Sequence, residues 1–401
     1  ASRRNFDSQD FYLGGRQLGA AVAALSASAS SSSAWSLLGV SGAAFVWGLP
    51  AVWLIPSTVG GFLINWYLIA PRLARQSRTR GALTLTEFLA GPPGDPARRP
   101  MMRLAAAVVL FSFTFYIAAQ FQAAGTTFAS VLAMNQNVAI GVGAAVVLAY
   151  VWLGGFWAAS ITDSVQGLLM GFSALIAVGG PGELLASMAG DGDPFGRWTG
   201  QASMPAAIGF VMGLFGIGLG YPGQPHVVNR FMAIKDDAAI ISGRRIAVTW
   251  AVIIYCGMVL LGWCGRLLAA ELGDGEQLLF ALSVQLLPAA LAGIMVSAIL
   301  SAIMSTTDSQ LLVAASSVSH DLRDGEAGSA GGLKHARWVV LGVGLVALVL
   351  AILSPETIFN RVLFAWQALA AAFGPLLAVT LWRGPVAGGW RIAALCAGFL
   401  L

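Results

Sequence analysis

Two of the long apolar stretches in this chain are broken in the middle. Leu25-Ser-Ala-Ser-Ala-Ser-Ser-Ser-Ser-Ala-Trp35 sets a serine run inside one. Gly213-Leu-Phe-Gly-Ile-Gly-Leu-Gly-Tyr-Pro-Gly-Gln-Pro-His226 sets glycines and prolines inside another. In a bilayer no water is at hand for exposed amides. Backbone therefore leaves helical geometry only where protein or a wet cavity takes its hydrogen bonds. The breaks fall at matching places in two successive halves, and paired breaks of this kind point to a binding site at mid-membrane.

The setting is membrane-like throughout. Of 401 residues, 57% are hydrophobic and 10% charged, which no soluble domain of this length matches. The formal charge of +4 is not a nucleic-acid footprint, because the charges sit in short loops between apolar spans. The two lysines, Lys235 and Lys334, lie outside any phosphate-binding loop, so an ATP-driven pump is not expected. Cys256, Cys264 and Cys396 show neither paired nor metal-like spacing and read as packing residues. No signal peptide is visible, and both ends read as truncated.

Eleven apolar segments follow one another: 18–47, 49–71, 103–133, 137–156, 159–179, 205–231, 244–269, 279–319, 336–353, 358–382 and 389–401. A spanning helix needs about 20 residues, so the last reads as the start of a further helix. Arginines set the orientation. Arg3, Arg4 and Arg16 precede the first span, and Arg72, Arg75, Arg78, Arg80, Arg98, Arg99 and Arg103 follow the second. Later loops on that side hold Arg230, Lys235, Arg244, Arg245, Arg323, Lys334, Arg337, Arg383 and Arg391. The other side receives Arg197, Arg266 and Arg361. The rich side is cytoplasmic by the positive-inside rule.

Five spans occupy 18–179 and five occupy 205–382. Five is odd, so the second set enters from the opposite side, and each set opens with a broken span. The expected architecture is an all-α polytopic membrane protein built as one transporter domain, a five-plus-five inverted repeat with broken first and sixth helices.

Four motifs carry polar chemistry. The serine run from Ser26 to Ser33 offers hydroxyls and freed carbonyls, which suit a hard cation; it reads equally as small residues that let helices approach closely. In the eighth span, Ala302, Ser305 and Thr306 stand at i, i+3 and i+4 and share a helix face. They read as half of a cation site, or as hydroxyls bonded back to their own helix. Asp308 follows them, and a carboxylate inside an apolar span is costly enough to mark a functional candidate. Asp163, in Gly154-Gly-Phe-Trp-Ala-Ala-Ser-Ile-Thr-Asp163, reads as a helix N-cap or as a cation ligand. Tyr221 and Pro225 line the second break, and His226 reads as a structural polar residue or a proton relay. The tryptophans read mostly as interface anchors.

At these residues the chain resembles the sodium:solute symporter family, and most its sodium/proline symporter branch. The similar stretches are Phe6-Asp-Ser-Gln-Asp-Phe-Tyr-Leu-Gly-Gly-Arg16, Leu153-Gly-Gly-Phe156, Thr162-Asp163, Leu219-Gly-Tyr-Pro-Gly-Gln-Pro-His226, Arg230-Phe-Met232 and Met304-Ser-Thr306. The resemblance implies a leucine-transporter-like fold, coupling to Na+ and alternating access. It implies a sodium site of Ala29, Ser32 and Ala302 carbonyls with Ser305 and Thr306 hydroxyls. It matches substrate positions to Tyr150, Ile217, Tyr221 and Pro225.

The chain departs from the branch twice. Ser31 stands where the branch has an aspartate, and Ile217 where it has a tryptophan. Asp308 is expected to take over part of the lost negative charge, directly or through a second cation held with Asp163 and Ser309. The expected function is sodium-coupled import of a small organic solute, with L-proline first. The same design serving a monocarboxylate, vitamin, sugar or sialic acid is the alternative. An ion channel would need a symmetric pore or charged ring, which is not visible. A membrane enzyme would need an acid/base or metal constellation, and His226, His320 and His335 are scattered. The expected surroundings are a bacterial inner membrane and its lipid bilayer.

Overall fold

The structure is a computed structural model that describes residues 13, 16–31, 33–153, 178–188, 197–201, 203–318, 330–354 and 356–400. Every regular element among these residues is helical, apart from one isolated bridge between Leu18 and Ile234. Six of the helices are long and apolar enough to cross a membrane. Large apolar side chains such as Leu63, Met204, Met212, Leu345 and Val349 face outward, as lipid contact requires. The chain is an integral membrane protein. The fifth expected span falls mostly outside the described residues, as do Ser32 and Asp163.

The first span is Ala20–Ser31, a short break, a wide π turn at Trp35–Gly39, and Val40–Trp47. The serine run is thus helical through Ser31, and the break is narrower than expected. Small side chains explain this: Ser31 Oγ bonds back to the Ser28 carbonyl at 2.8 Å, which keeps the turn wound. The sixth span is Met204–Leu219, a tight turn at Tyr221–Gly223, and Pro225–Ala233. Proline has no N–H to donate, so Pro225 fits the first position of the second half-helix.

Packing repeats between the halves. The seventh span, Asp237–Leu268, lies against both parts of the first. The second span, Leu49–Arg80, lies against both parts of the sixth. First is to seventh as sixth is to second, which is the relation an inverted repeat requires. The third span, Arg98–Leu132, packs on the fourth, eighth, ninth and tenth.

Three expectations change. The segment 279–319 is two helices, Leu278–Leu286 and Ala289–Ser316, parted at Leu287 and Pro288. Pro288 cannot donate a helical bond, and only the second helix is the eighth span. The second span runs on to Arg80 and ends on Gly81, whose φ of 68° suits glycine. Trp35, Trp66, Trp250 and Trp366 are buried in the bundle rather than anchored at an interface. Trp338, Trp382 and Trp390 are exposed, as anchors would be. Of the cysteines read as packing residues, Cys264 is buried, Cys396 is half-buried and Cys256 is exposed.

Candidate ion and substrate site

The freed backbone at both breaks is satisfied by protein. At the first, Gln120 of the third span accepts from the Ala34 amide at 3.2 Å. Ser33 Oγ accepts from the Trp35 amide at 3.1 Å and from the Tyr116 hydroxyl at 3.2 Å. At the second, Asn65 Nδ2 donates to the Tyr221 carbonyl at 3.2 Å, and Trp366 Nε1 donates to the Ile217 carbonyl at 3.1 Å. Gln224 Nε2 donates to the Trp366 carbonyl at 3.0 Å. These polar residues lie in apolar spans because the breaks need them.

Glycine lets the sixth span come this close. A Cβ on Gly218 would stand 2.0 Å from the Ser57 carbonyl oxygen, and one on Gly223 2.6 Å from the Ala370 Cα. Ser57 Oγ donates to the Leu214 carbonyl at 2.5 Å and accepts from the Gly218 amide at 3.1 Å.

Of the substrate positions implied by resemblance, Ile217, Tyr221 and Pro225 meet at the second break, all buried. Tyr150 lies in the last turn of the fourth span's described helix, Gln136–Leu153, and its side chain lies outside the described residues. The Tyr221 ring packs edge-on to Trp366 at 4.7 Å and against Phe62 at 5.1 Å. An indole thus stands beside Ile217 after all, from the tenth span.

Sequence reasoning did not single out Tyr255. Its hydroxyl lies 2.9 Å from that of Tyr221 and 3.2 Å from Ser36 Oγ, so it ties the sixth span's break to the first span's π turn. A phenol far from either end of an apolar span was the available signal.

Ala29, Ala302, Ser305 and Thr306 come together where the first half-helix crosses the eighth span, and all four are buried. Thr306 Oγ1 donates to the Ala29 carbonyl at 3.1 Å. Ser305 Oγ is buried without a hydrogen-bond partner. A buried hydroxyl left open in this way is costly, and oxygen donors suit a hard cation. Among the described residues no cluster of His, Cys, Asp or Glu suits a softer metal.

Asp308 and Ser309 lie one turn further along the same helix. Ser309 Oγ accepts from Arg230 Nη2 at 2.6 Å. Ser31, at the position of the branch aspartate, turns its hydroxyl to its own helix. His226 is enclosed by the rings of Phe113 and Tyr116, at 5.3 and 5.8 Å.

The cytoplasmic ends of the two broken spans are tied together. Leu18 N donates to the Ala233 carbonyl at 3.2 Å, and Lys235 N donates to the Leu18 carbonyl at 3.0 Å. Arg16 donates to the Met232 carbonyl at 3.1 Å and the Ala82 carbonyl at 2.6 Å. Burial and the nearby Arg78 charge hold the Arg16 pKa below its ordinary value.

On the outer side, the Phe359 ring stacks on Trp35 at 5.4 Å and meets Trp47 edge-on at 5.2 Å. Glu276 fixes Phe359 by accepting from the Ile358 and Phe359 amides at 2.9 and 2.8 Å. Burial raises the Glu276 pKa above its ordinary value, against those two bonds.

Paired breaks, an inverted repeat, and an ion-suited oxygen cluster between the first and eighth spans define a secondary transporter of alternating-access design. Residues 11–386 match the profile of the sodium:solute symporter family, and the chain belongs to that family. It is 38% identical to the high-affinity proline transporter PutP of Bacillus subtilis, over 96% of this chain and 84% of that protein. It is 35% identical to the sodium/proline symporter of Escherichia coli, over 100% of this chain and 82% of that one. Among solved structures, a Na+-coupled sialic acid symporter in a substrate-bound outward-open state superposes with a TM-score of 0.67. That match is at 17% identity, over 100% of this chain and 93% of that one, and shows the shared fold.

Proposed function

We propose that this protein is a sodium-coupled symporter that imports L-proline across a bacterial inner membrane. The oxygen atoms of Ala29, Ser305 and Thr306 carry the reading, because Thr306 joins the first and eighth spans beside the open Ser305 hydroxyl, and oxygen donors suit a small hard cation. Proline as substrate is supported by relatives that bear proline transport in their names across nearly the whole chain. The two repeats are 18–179 and 205–382, and the protein works as a transporter and not as an enzyme.

Sodium between the first and eighth spans would take the Ala29 carbonyl and Thr306 hydroxyl from one another, with Ser305, Ala302 and Ser32 completing the shell. That fixes the first half-helix and with it the break at Ser33 and Ala34. Proline would dock between the breaks against Ile217, Tyr221 and Pro225, with Tyr150 as a further contact. The Ser36–Tyr255–Tyr221 chain passes the state of one break to the other. Coupling then amounts to each ligand raising the affinity for the other by the same factor. Release inward requires parting the Leu18–Lys235 tie and the Arg16 contacts.

The test is thermal unfolding of the purified protein in sodium chloride or choline chloride, with proline added to each. Proline should stabilise strongly in sodium and weakly in choline. Equal stabilisation in both would refute coupling. Stabilisation by a monocarboxylate, vitamin, sugar or sialic acid, with none by proline, would keep the symporter and replace its substrate.

A further inference from the structure

The first break spends its backbone donors inside the protein. The Ala34 amide donates to Gln120 Oε1 at 3.2 Å, and the Trp35 amide donates to Ser33 Oγ at 3.1 Å. The Ser36 amide donates to the Ser33 carbonyl at 3.0 Å. An anionic group arriving at this break therefore finds the amides of residues 34 to 36 already committed.

Gln120 supplies what those amides do not. It is buried on the third span, one turn beyond Tyr116 and on the same helix face. A side-chain amide has one acceptor oxygen and two N–H donors. The Ala34 bond fixes which end is which, because a backbone N–H donates to oxygen. The other end, Nε2, is buried with no partner. An open buried donor is costly, and an acceptor brought in by a ligand recovers that cost.

The second break is open in the opposite sense. Asn65 Nδ2 and Gln224 Nε2 are given to the Tyr221 and Trp366 carbonyls. Their oxygens, Asn65 Oδ1 and Gln224 Oε1, are buried with no partner. An open donor thus belongs to the first break and open acceptors to the second. An amino acid zwitterion has the matching ends, since its carboxylate only accepts and its ammonium only donates. Trp35 Nε1 is a second buried donor left open at the first break. Its indole is stacked on Phe359 at the outer side, at 5.4 Å, whereas Gln120 approaches from the third span.

We propose that Gln120 is a substrate ligand whose Nε2 donates to the carboxylate of the bound amino acid. It turns that carboxylate toward the first break and selects for a free carboxylate. The proposal rests on the reading above that a small amino acid docks between the breaks.

The experiment titrates the full-length purified protein in sodium chloride with L-proline and with L-prolinamide, and reads apparent affinity from thermal stabilisation. Wild type should prefer proline, because a hydrogen bond to a charged acceptor is the stronger one. Gln120→Leu should weaken proline by about tenfold or more, the worth of such a bond, and prolinamide by clearly less. Gln120→Glu keeps an oxygen for the Ala34 amide and puts a second one where Nε2 stood. At alkaline pH, where that carboxyl is ionised, it should reverse the preference toward prolinamide. Trp35→Phe should leave the preference for proline in place.

An equal loss for both ligands in Gln120→Leu would make Gln120 a prop of the first break and overturn the proposal. So would a preference lost in Trp35→Phe and kept in Gln120→Leu, which would hand the carboxylate to the indole. If Gln120→Leu does not fold, Gln120→Glu decides, and an unchanged preference there overturns the proposal. Wild type that neither ligand stabilises, while sodium does, would instead refute the proline reading on which the proposal stands.

Discussion

The Thr306 hydroxyl donates to the Ala29 carbonyl across 3.1 Å, joining residues 277 positions apart. Beside them Ser305 Oγ is buried with no partner. The eighth span thus presents one hydroxyl bonded to the first half-helix and, at the preceding residue, one buried hydroxyl left open.

Thr306→Ala is expected to raise the half-saturating sodium concentration for proline uptake by about tenfold or more, since bonds to a charged group are worth roughly 1.5–3 kcal/mol. Ser305→Ala should act in the same direction. It also removes an open buried hydroxyl, so its melting temperature without sodium should not fall. Sodium titrations of initial uptake rate check both. An unchanged sodium dependence in either variant would take that hydroxyl out of the site.

Tyr255→Phe keeps the ring packed on Trp35 at 6.3 Å but deletes the hydroxyl between Ser36 and Tyr221. Net loss of one or two buried hydrogen bonds predicts about a 2- to 10-fold rise in the half-saturating proline concentration. Folded yield should stay close to wild type. A pure loss of folded protein with normal proline affinity would make Tyr255 structural only.

Glu276→Ala should loosen the outer end of the tenth span. Removing a helix-cap acceptor costs roughly 0.5–2 kcal/mol, and here the carboxylate also holds Phe359 against Trp35. Hydrogen exchange at the Ile358 and Phe359 amides should become faster in Glu276→Ala, and by less in Glu276→Gln, which keeps one acceptor oxygen; unchanged exchange would contradict the cap.

Asp95 predicts a pH effect. The Ala97 amide and then the Arg391 guanidinium hold its carboxyl below the ordinary value of 3.8. A lowered acid binds protons less tightly in the folded state than in the unfolded one. Its contribution to stability is therefore present above pH 3.8 and fades as pH falls below it. Asp95→Asn should flatten that part of the melting-temperature profile. The same slope in the variant would assign the effect to another group.

Gly218→Ala tests the close crossing of the second and sixth spans. Its Cβ would meet the Ser57 carbonyl oxygen at 2.0 Å. Overpacking of this kind costs typically about 1–3 kcal/mol, so the melting temperature should drop.

Much of this was legible in the sequence because bilayer chemistry is restrictive. Apolar length and two broken spans led to the two broken helices and to the repeat seen in the packing of first on seventh and sixth on second; the orientation rests on arginine placement. The pairing of Ala29 with Thr306 followed from resemblance, and the crossing of the two spans brings those two residues into contact. Other features were not legible because they depend on three-dimensional approach. Arg230 sits near a span end in sequence, and only the meeting of three helices turns its guanidinium inward. Gln120, Asn65 and Trp366 are ordinary residues of apolar spans until a broken backbone 86 to 156 positions away needs their hydrogen bonds. The serine run misled on the width of the first break, since serine hydroxyls satisfy a wound helix as readily as an unwound one. Pro288 was the overlooked sign that one long apolar segment was two helices.

The most direct test of the central claim is uptake of labelled L-proline into proteoliposomes, with an inward sodium gradient and with the gradient dissipated. The account predicts accumulation above the external concentration only while the sodium gradient lasts. Equal uptake in both conditions, from protein that is folded and correctly inserted, would contradict it.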